Sequence, residues 1–137
     1  IETRMKSDRS PVSEADERVE EFLMEALERE LPGVARIAEE AAARGETPPH
    51  GDAYLLIDPI YGTREFIGRS PEFTVNLALI VGHFAVWGCV HAPALGQTYW
   101  GAQGAGAFKS ENGLVCALHV RPGDNMNTAC SSYELRR

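Results

Sequence analysis

The sequence predicts an α+β fold with a mainly antiparallel sheet and helices packed on it. An early stretch has helical periodicity, and from about residue 53 onward short alternating segments follow one another, separated by turns. The 137 residues show no internal repeat and no linker-like tract. A chain of this length can form one sizeable core, so we expect residues 1–137 to form a single domain.

The first helix is predicted to begin after Ser13. Ser13 is a suitable N-cap and Asp16 follows three residues later, as in a capping box, while Pro32-Gly33 ends the helix. Its apolar positions recur at helical spacing, which predicts a buried stripe. The stripe consists of Val19, Phe22, Leu23, Ala26 and Leu27.

A short strand and then a meander of strands are predicted after this helix. The best alternation lies in residues 72–81, where Phe73, Val75, Leu77 and Leu79 occupy one face. Residues 41–52 contain glycine and proline and predict a loop or a broken helical turn. The other predicted strands are residues 34–38, 53–57, 85–92 and 97–100, with a hairpin from 107–108 to 114–120 around Asn112-Gly113.

The net charge and the lengths of the apolar runs limit which partners this chain is expected to bind. The net charge is −7, which argues against nucleic acid, because phosphate backbones select basic surfaces. No apolar run approaches the ~18 residues of a membrane span, and no signal peptide is recognised. We expect a cytoplasmic protein, with peripheral association at the inner membrane left open. Cys89, Cys116 and Cys130 are widely spaced and are interpreted as incidental or buried thiols.

The segment from Asp58 to Thr63 carries the strongest chemical signal. An apolar strand stops at Asp58, and Pro59 removes a backbone N–H, which leaves the Ile60 carbonyl available to a cation. Gly62 allows close approach of the backbone, and Thr63 can begin a helix whose N–H groups suit phosphate. A carboxylate and a carbonyl near such a helix are groups that Mg²⁺ and a phosphate each prefer.

Two further acidic residues stand out by their context. Glu39 ends a short predicted strand, and Asp16 lies in the first turn of the long helix. Carboxylates at strand ends can converge on one cation. Each also has an ordinary structural interpretation: Glu39 as a solvated strand end, Asp58-Pro59 as a turn and Asp16 as a helix cap. The residues alone leave these alternatives open.

Several segments, in this order, resemble the inositol monophosphatase-like, metal-dependent phosphatases. Residues 6–16 are similar to K-x-D-x-S-P-V-[TS]-x-A-D, residues 37–40 to a strand ending in E-E, and residues 56–66 to D-P-[ILV]-D-G-T with its flanks. Residues 69–80 are similar to R-x-x-E-F-T-V-N-[IL]-A-L-I. Together with Thr63-Arg64-Glu65-Phe66, this last segment resembles the 3'(2'),5'-bisphosphate nucleotidases more than inositol monophosphatases proper.

The resemblance implies a role for each matching residue. It implies that Glu39, Asp58 and the Ile60 carbonyl bind Mg²⁺, and that Asp16 and Thr63, with Glu39, form the catalytic set that orients and deprotonates water. The substrate-binding loop would consist of Ile60, Tyr61, Gly62 and Thr63, with the last two amides on the phosphate. The implied reaction is hydrolysis of 3'-phosphoadenosine 5'-phosphate, a small phosphorylated nucleotide, to AMP and phosphate in sulfur assimilation.

Two departures from the family pattern change the expectation for this chain. Tyr61 stands where the family carries a second Asp, and a neutral phenol, with a pKa near ~10, is a poor ligand for Mg²⁺. The family's second half, with its W-D metal motif, has no counterpart here. We therefore interpret residues 1–137 as an amino-terminal part and expect it to be inactive or nearly so alone. Without the second half its sheet would expose an apolar face, so we expect dimerisation, for example as a homodimer, or aggregation.

Two other functions remain as alternatives at this point. One is a pseudophosphatase that binds a nucleotide or a protein without turnover, which Tyr61 favours. The other is a phosphatase for inositol or sugar phosphates, which the Glu65-Phe66 and Glu72-Phe73-Thr74 pattern disfavours.

Overall fold

The computed structural model describes the backbone of residues 3–5 and 11–119 and the side chains of residues 14–119. The proposed capping side chain of Ser13, the cysteine at position 130 and the predicted strand end at residue 120 lie outside these ranges. Within the part of the chain that is described, no helix combines the length and the apolar character that crossing a membrane requires.

The first helix, α1, spans Glu14–Glu30 and confirms the predicted helix. Its two buried residues are acidic: Asp16 is 1% exposed and Glu20 is 5% exposed. The predicted stripe is wrong at Phe22, which is 66% exposed. The reason is that α1 packs mainly on a single strand and covers it with a narrow face, and that face contains Asp16 and Glu20.

The remaining strands form the predicted sheet, which is antiparallel except at one pair. The order is β3-β4-β5-β6-β7-β8-β9, and only β3 and β4 run parallel. A separate two-stranded sheet pairs β1 with β2. The strands are β1 Thr3–Met5, β2 Pro11–Ser13, β3 Ala35–Ala38, β4 Ala53–Tyr61, β5 Thr74–Val81, β6 Phe84–Ala92, β7 Gln97–Ala102, β8 Gly106–Glu111 and β9 Leu114–Leu118.

The chain around the candidate site differs from the prediction in two places. A short helix, α2, spans Glu39–Ala43, so that Glu39 begins a helix rather than ending a strand. Strand β4 also continues past Asp58 to Tyr61, and α3 follows at Thr63–Ile67. Proline is tolerated within β4 because the register with β5 shifts between Asp58 and Tyr61, so that Pro59 lies in a bulge and interrupts no ladder bond there.

The two faces of β4 have different environments. Leu55 and Ile57 are buried on the face that α1 covers, whereas Leu56 between them is 40% exposed. Leu56 aligns with Ala78 of β5 and then with Gly88 of β6, so these three share the second face. Among the described residues this second face has little cover, and the buried apolar core is small.

We predict that the polypeptide of residues 1–137 self-associates when it is expressed alone. Leu114 on β9 is 77% exposed, and β9 forms one edge of the described sheet. Exposed apolar patches and unpaired strand edges favour association. Analytical ultracentrifugation should show dimers or larger species, which Leu114→Lys reduces and the loop variant Gln103→Lys does not. A monodisperse monomer at micromolar concentration would contradict the prediction.

Candidate active site

A tight turn between β4 and α3 brings the predicted loop residues together. Ile60 is buried at the end of β4, and Gly62 takes a left-handed conformation with φ of 95°. The Gly62 carbonyl accepts the Phe66 N–H at 2.9 Å, so that the turn leads directly into α3. A Cβ atom at Gly62 would lie 3.0 Å from the Glu72 carbonyl oxygen, which explains why this position requires glycine.

The hydroxyl of Thr63 links this turn to α1. Its Oγ1 lies 3.0 Å from Asp16 Oδ1 and 3.2 Å from the Ile60 carbonyl oxygen. A hydroxyl carries one proton, and donation to the Asp16 carboxylate is favoured because charge-assisted bonds are the stronger ones. The oxygen of Thr63 then retains lone pairs that can accept a hydrogen bond from a water molecule. The structure thus places Thr63 in direct contact with both Asp16 and the Ile60 carbonyl.

Glu39 and Asp58 line a common cavity of about 520 Å³ beside this turn. Ala38 and Ile57 are paired in the parallel ladder of β3 and β4. Glu39 directly follows Ala38 and Asp58 directly follows Ile57, which explains why the two acidic residues lie near each other. Asn76 of β5 lies opposite Asp58 and lines the same cavity. Its Oδ1 atom is buried and has no hydrogen-bond partner among the described residues.

The oxygen donors at and next to this cavity are of the kind that suits one hard divalent cation. Glu39 and Asp58 line the cavity with carboxylates. Ile60, two residues after Asp58, has a carbonyl that keeps a second lone pair besides the one facing Thr63. Mg²⁺ suits such a site because it binds few carboxylates and keeps several waters. In residues 14–119, no cluster of three or more His, Cys, Asp or Glu side chains could hold a metal. Tyr61 is 61% exposed and adds only a phenol, so a second cation has no comparable donor set there.

Cys89 also lines the cavity but is poorly suited to chemistry. Burial raises the pKa of the Cys89 thiol above its ordinary value. The thiol therefore stays protonated at neutral pH, and a thiol is a weaker nucleophile and metal ligand than a thiolate. Cys89 and the exposed Cys116 are both free thiols, which agrees with the interpretation of the cysteines as incidental.

Two polar residues near the cavity were missed by the reasoning from sequence. In the alternating pattern of residues 72–81, Asn76 lies on the face opposite to Val75 and Leu77, and nothing in that pattern distinguished it. Glu20 lies four residues after Asp16, on the same helical face, and its carboxylate accepts the backbone N–H groups of Glu40 and Ala41. An acidic residue at a core-facing helical position was the available signal for Glu20.

The model of the inositol monophosphatase family matches residues 1–137. A curated relative, the 3'(2'),5'-bisphosphate nucleotidase CysQ of Aggregatibacter actinomycetemcomitans, is 41% identical over 128 residues, covering 91% of this chain and 48% of the relative. The chain spans less than half the length of the curated relatives it matches.

Solved structures show the same fold. An IMPase of Thermotoga maritima superposes with a TM-score of 0.76 at 29% identity, covering 90% of this chain and 45% of the other. An IMPase/NADP phosphatase complexed with Mg²⁺ and phosphate has a TM-score of 0.66 at 20% identity, covering 79% of this chain and 41% of the other. These likenesses confirm the predicted fold class, a mainly antiparallel sheet with helices of the inositol monophosphatase type.

We predict that Gly62→Ala destabilises the protein more than Gly82→Ala does. Both glycines have positive φ, so alanine costs about 1–2 kcal/mol of backbone strain at either position. Only at Gly62 does the new Cβ also meet a backbone carbonyl; at Gly82 it meets open space. Urea unfolding of the two variants measures the difference in their free energies of unfolding. Equal losses of unfolding free energy would show that the close approach to the Glu72 carbonyl does not contribute to the cost of Gly62→Ala.

Proposed function

Because the chain belongs to the inositol monophosphatase family, we propose that it is the amino-terminal part of a Mg²⁺-dependent phosphomonoesterase. The proposed substrate is 3'-phosphoadenosine 5'-phosphate, hydrolysed to AMP and phosphate. The observation that carries this proposal is that Thr63 contacts both Asp16 and the Ile60 carbonyl next to a cavity lined by two carboxylates. The 41% identity to a named 3'(2'),5'-bisphosphate nucleotidase supports the choice of substrate.

Asp16 and Thr63 are proposed to activate the attacking water. Asp16 is almost fully buried and holds the Thr63 hydroxyl proton at Oδ1. Thr63 Oγ1 therefore presents its lone pairs to water, accepts a hydrogen bond from it and orients the water oxygen toward phosphorus. As the new P–O bond forms, the water proton passes to Thr63 Oγ1 while the Thr63 hydroxyl proton passes to the Asp16 carboxylate. The bond to the 3' oxygen of the nucleotide breaks on the opposite side, and that oxygen takes up a proton from solvent water.

Glu39, Asp58 and the Ile60 carbonyl are the proposed ligands of Mg²⁺. When bound, Mg²⁺ lowers the pKa of water and neutralises charge on the phosphate. Enzymes of this family use Mg²⁺, and a structural neighbour is described in complex with Mg²⁺ and phosphate. The Gly62 and Thr63 amides, next to Ile60 and Tyr61, are proposed to bind the phosphate oxygens, in keeping with their place at the start of α3, whose N-cap makes no side-chain hydrogen bond.

We predict that Asp16→Asn and Thr63→Val each lower kcat for 3'-phosphoadenosine 5'-phosphate by about 100-fold or more in the full-length protein. The two changes should not add, because both interrupt one proton path. Phosphate release at saturating Mg²⁺ measures this, with the exposed Asp52→Asn as the matched control. If the unaltered protein releases no phosphate from this nucleotide but does from an inositol or sugar phosphate, the proposed substrate is wrong.

A second candidate function is nucleotide binding without turnover. The exposed Tyr61 at the end of β4 favours it, because the site then offers two carboxylates rather than three. Metal-dependent affinity for the nucleotide with no phosphate release distinguishes this function from the first.

We predict that Tyr61→Asp tightens Mg²⁺ binding by the full-length protein by about tenfold or more, equivalent to ~1.4 kcal/mol. The physical reason is a third carboxylate beside the Ile60 carbonyl, since ligand charge sets cation affinity. Titration calorimetry with Mg²⁺ measures the change, and Tyr61→Asn is the control for removal of the ring without added charge. Equal affinities of the Asp and Asn variants would mean that position 61 does not face the cation.

A further inference from the structure

The short helix α2 lacks the means to stabilise its own N-terminus. It has five residues, and its N-cap residue is Ala38, whose side chain caps nothing. The first N–H groups of a helix have no partner within the helix, and isolated helices of this length are unstable in water. The direction in which the chain leaves β3 at Glu39 therefore depends on an external acceptor.

Glu20 of α1 is that acceptor. Its Oε2 accepts the Glu40 N–H at 2.7 Å, and its Oε1 accepts the Ala41 N–H at 2.9 Å. The Glu20 carboxylate is buried, which strengthens both bonds, and its negative charge lies at the positive end of α2. Arg44, directly after α2, approaches Glu20 Oε1 at 3.6 Å from the other end of the helix.

This anchoring bears on the candidate metal site because Glu39 is the first residue of α2. Glu39 lines the cavity together with Asp58, and the next two amides along the chain are the ones that Glu20 holds. One helical turn earlier on α1, about 6 Å along its axis, Asp16 holds Thr63 in the same way. Helix α1 thus sets the separation between the Glu39 segment and the segment from Asp58 to Thr63.

We propose that Glu20 is a positioning residue for the metal site: its carboxylate fixes the start of α2 and so directs the Glu39 side chain into the cavity. This inference rests on the proposed role of Glu39 as a Mg²⁺ ligand. Glu20 itself does not line the cavity, and both of its carboxylate oxygens accept amides of α2. Groups that orient a metal ligand from behind typically affect metal affinity by about 10-fold to 100-fold.

The test compares Mg²⁺ affinity of the full-length protein and its Glu20→Gln variant by titration calorimetry, without substrate. Gln keeps the size of the side chain but places an NH₂ group against one of the two backbone N–H groups. We expect about tenfold weaker Mg²⁺ binding. The adjacent Glu21→Gln, which removes the same charge from an exposed position of α1, should leave the affinity unchanged.

A double-mutant cycle separates positioning from general destabilisation. If Glu20 acts through Glu39, Glu20→Gln should cause no further loss of Mg²⁺ affinity in a Glu39→Gln background. An equal loss in both backgrounds, or an unchanged affinity in the single variant, would overturn the inference. Where Glu20→Gln does not fold, Glu20→Asp keeps the charge but shortens the reach to the two amides, and wild-type Mg²⁺ affinity in that variant would also overturn it.

The outcomes also separate this inference from the proposed function. Mg²⁺ binding that depends on Glu20 through Glu39, with no hydrolysis of 3'-phosphoadenosine 5'-phosphate, would reject the substrate and retain the positioning role. If the unaltered protein binds no Mg²⁺, the ligand role of Glu39 is wrong and the inference is rejected with it.

Discussion

The structure depends on two buried carboxylates on one face of α1. Burying a carboxylate costs several kcal/mol unless hydrogen bonds and charges compensate it. Asp16 receives the Thr63 hydroxyl, and Glu20 receives two amides of α2. These donors lie on the segments that follow β4 and β3, so α1 can stay packed on the sheet only while both segments keep their positions. Stability and site geometry are therefore coupled through the same hydrogen bonds.

The parallel pair β3–β4 provides the other constraint on the site. Because the two strands run in the same direction, their carboxyl ends lie at the same edge of the sheet, and Glu39 and Asp58 leave that edge side by side. The antiparallel strands that follow extend the sheet away from the site and contribute Asn76 to its wall. With Tyr61 in place of a carboxylate, the proposed site combines the Asp16–Thr63 pair, proposed to activate water, with two carboxylates and one carbonyl as proposed cation ligands.

Local patterns predicted much of the fold, and they failed where a residue's environment depended on distant packing. Period-2 alternation located the strands, and helical spacing located α1. The same spacing placed Phe22 in the core, yet α1 covers mainly one strand and leaves Phe22 in solvent. Helix α2 was predicted only as a loop or a broken helical turn from residue 41 onward, because its five residues are too few for a periodic signal and its stabilising acceptor lies some 20 positions earlier. The continuation of β4 through Pro59 was missed because a bulge is not visible in the residue pattern.

The sequence by itself determined the family and the local chemistry of the segment from Asp58 to Thr63, because the proline, the glycine and the strand before them restrict the backbone directly. Only the tertiary structure decided what that segment contacts. Thr63 meets Asp16 across 47 positions, and Glu20 meets α2 across about 20. Those contacts arise because the folded chain must supply donors to every buried carboxylate, a requirement that no local propensity encodes.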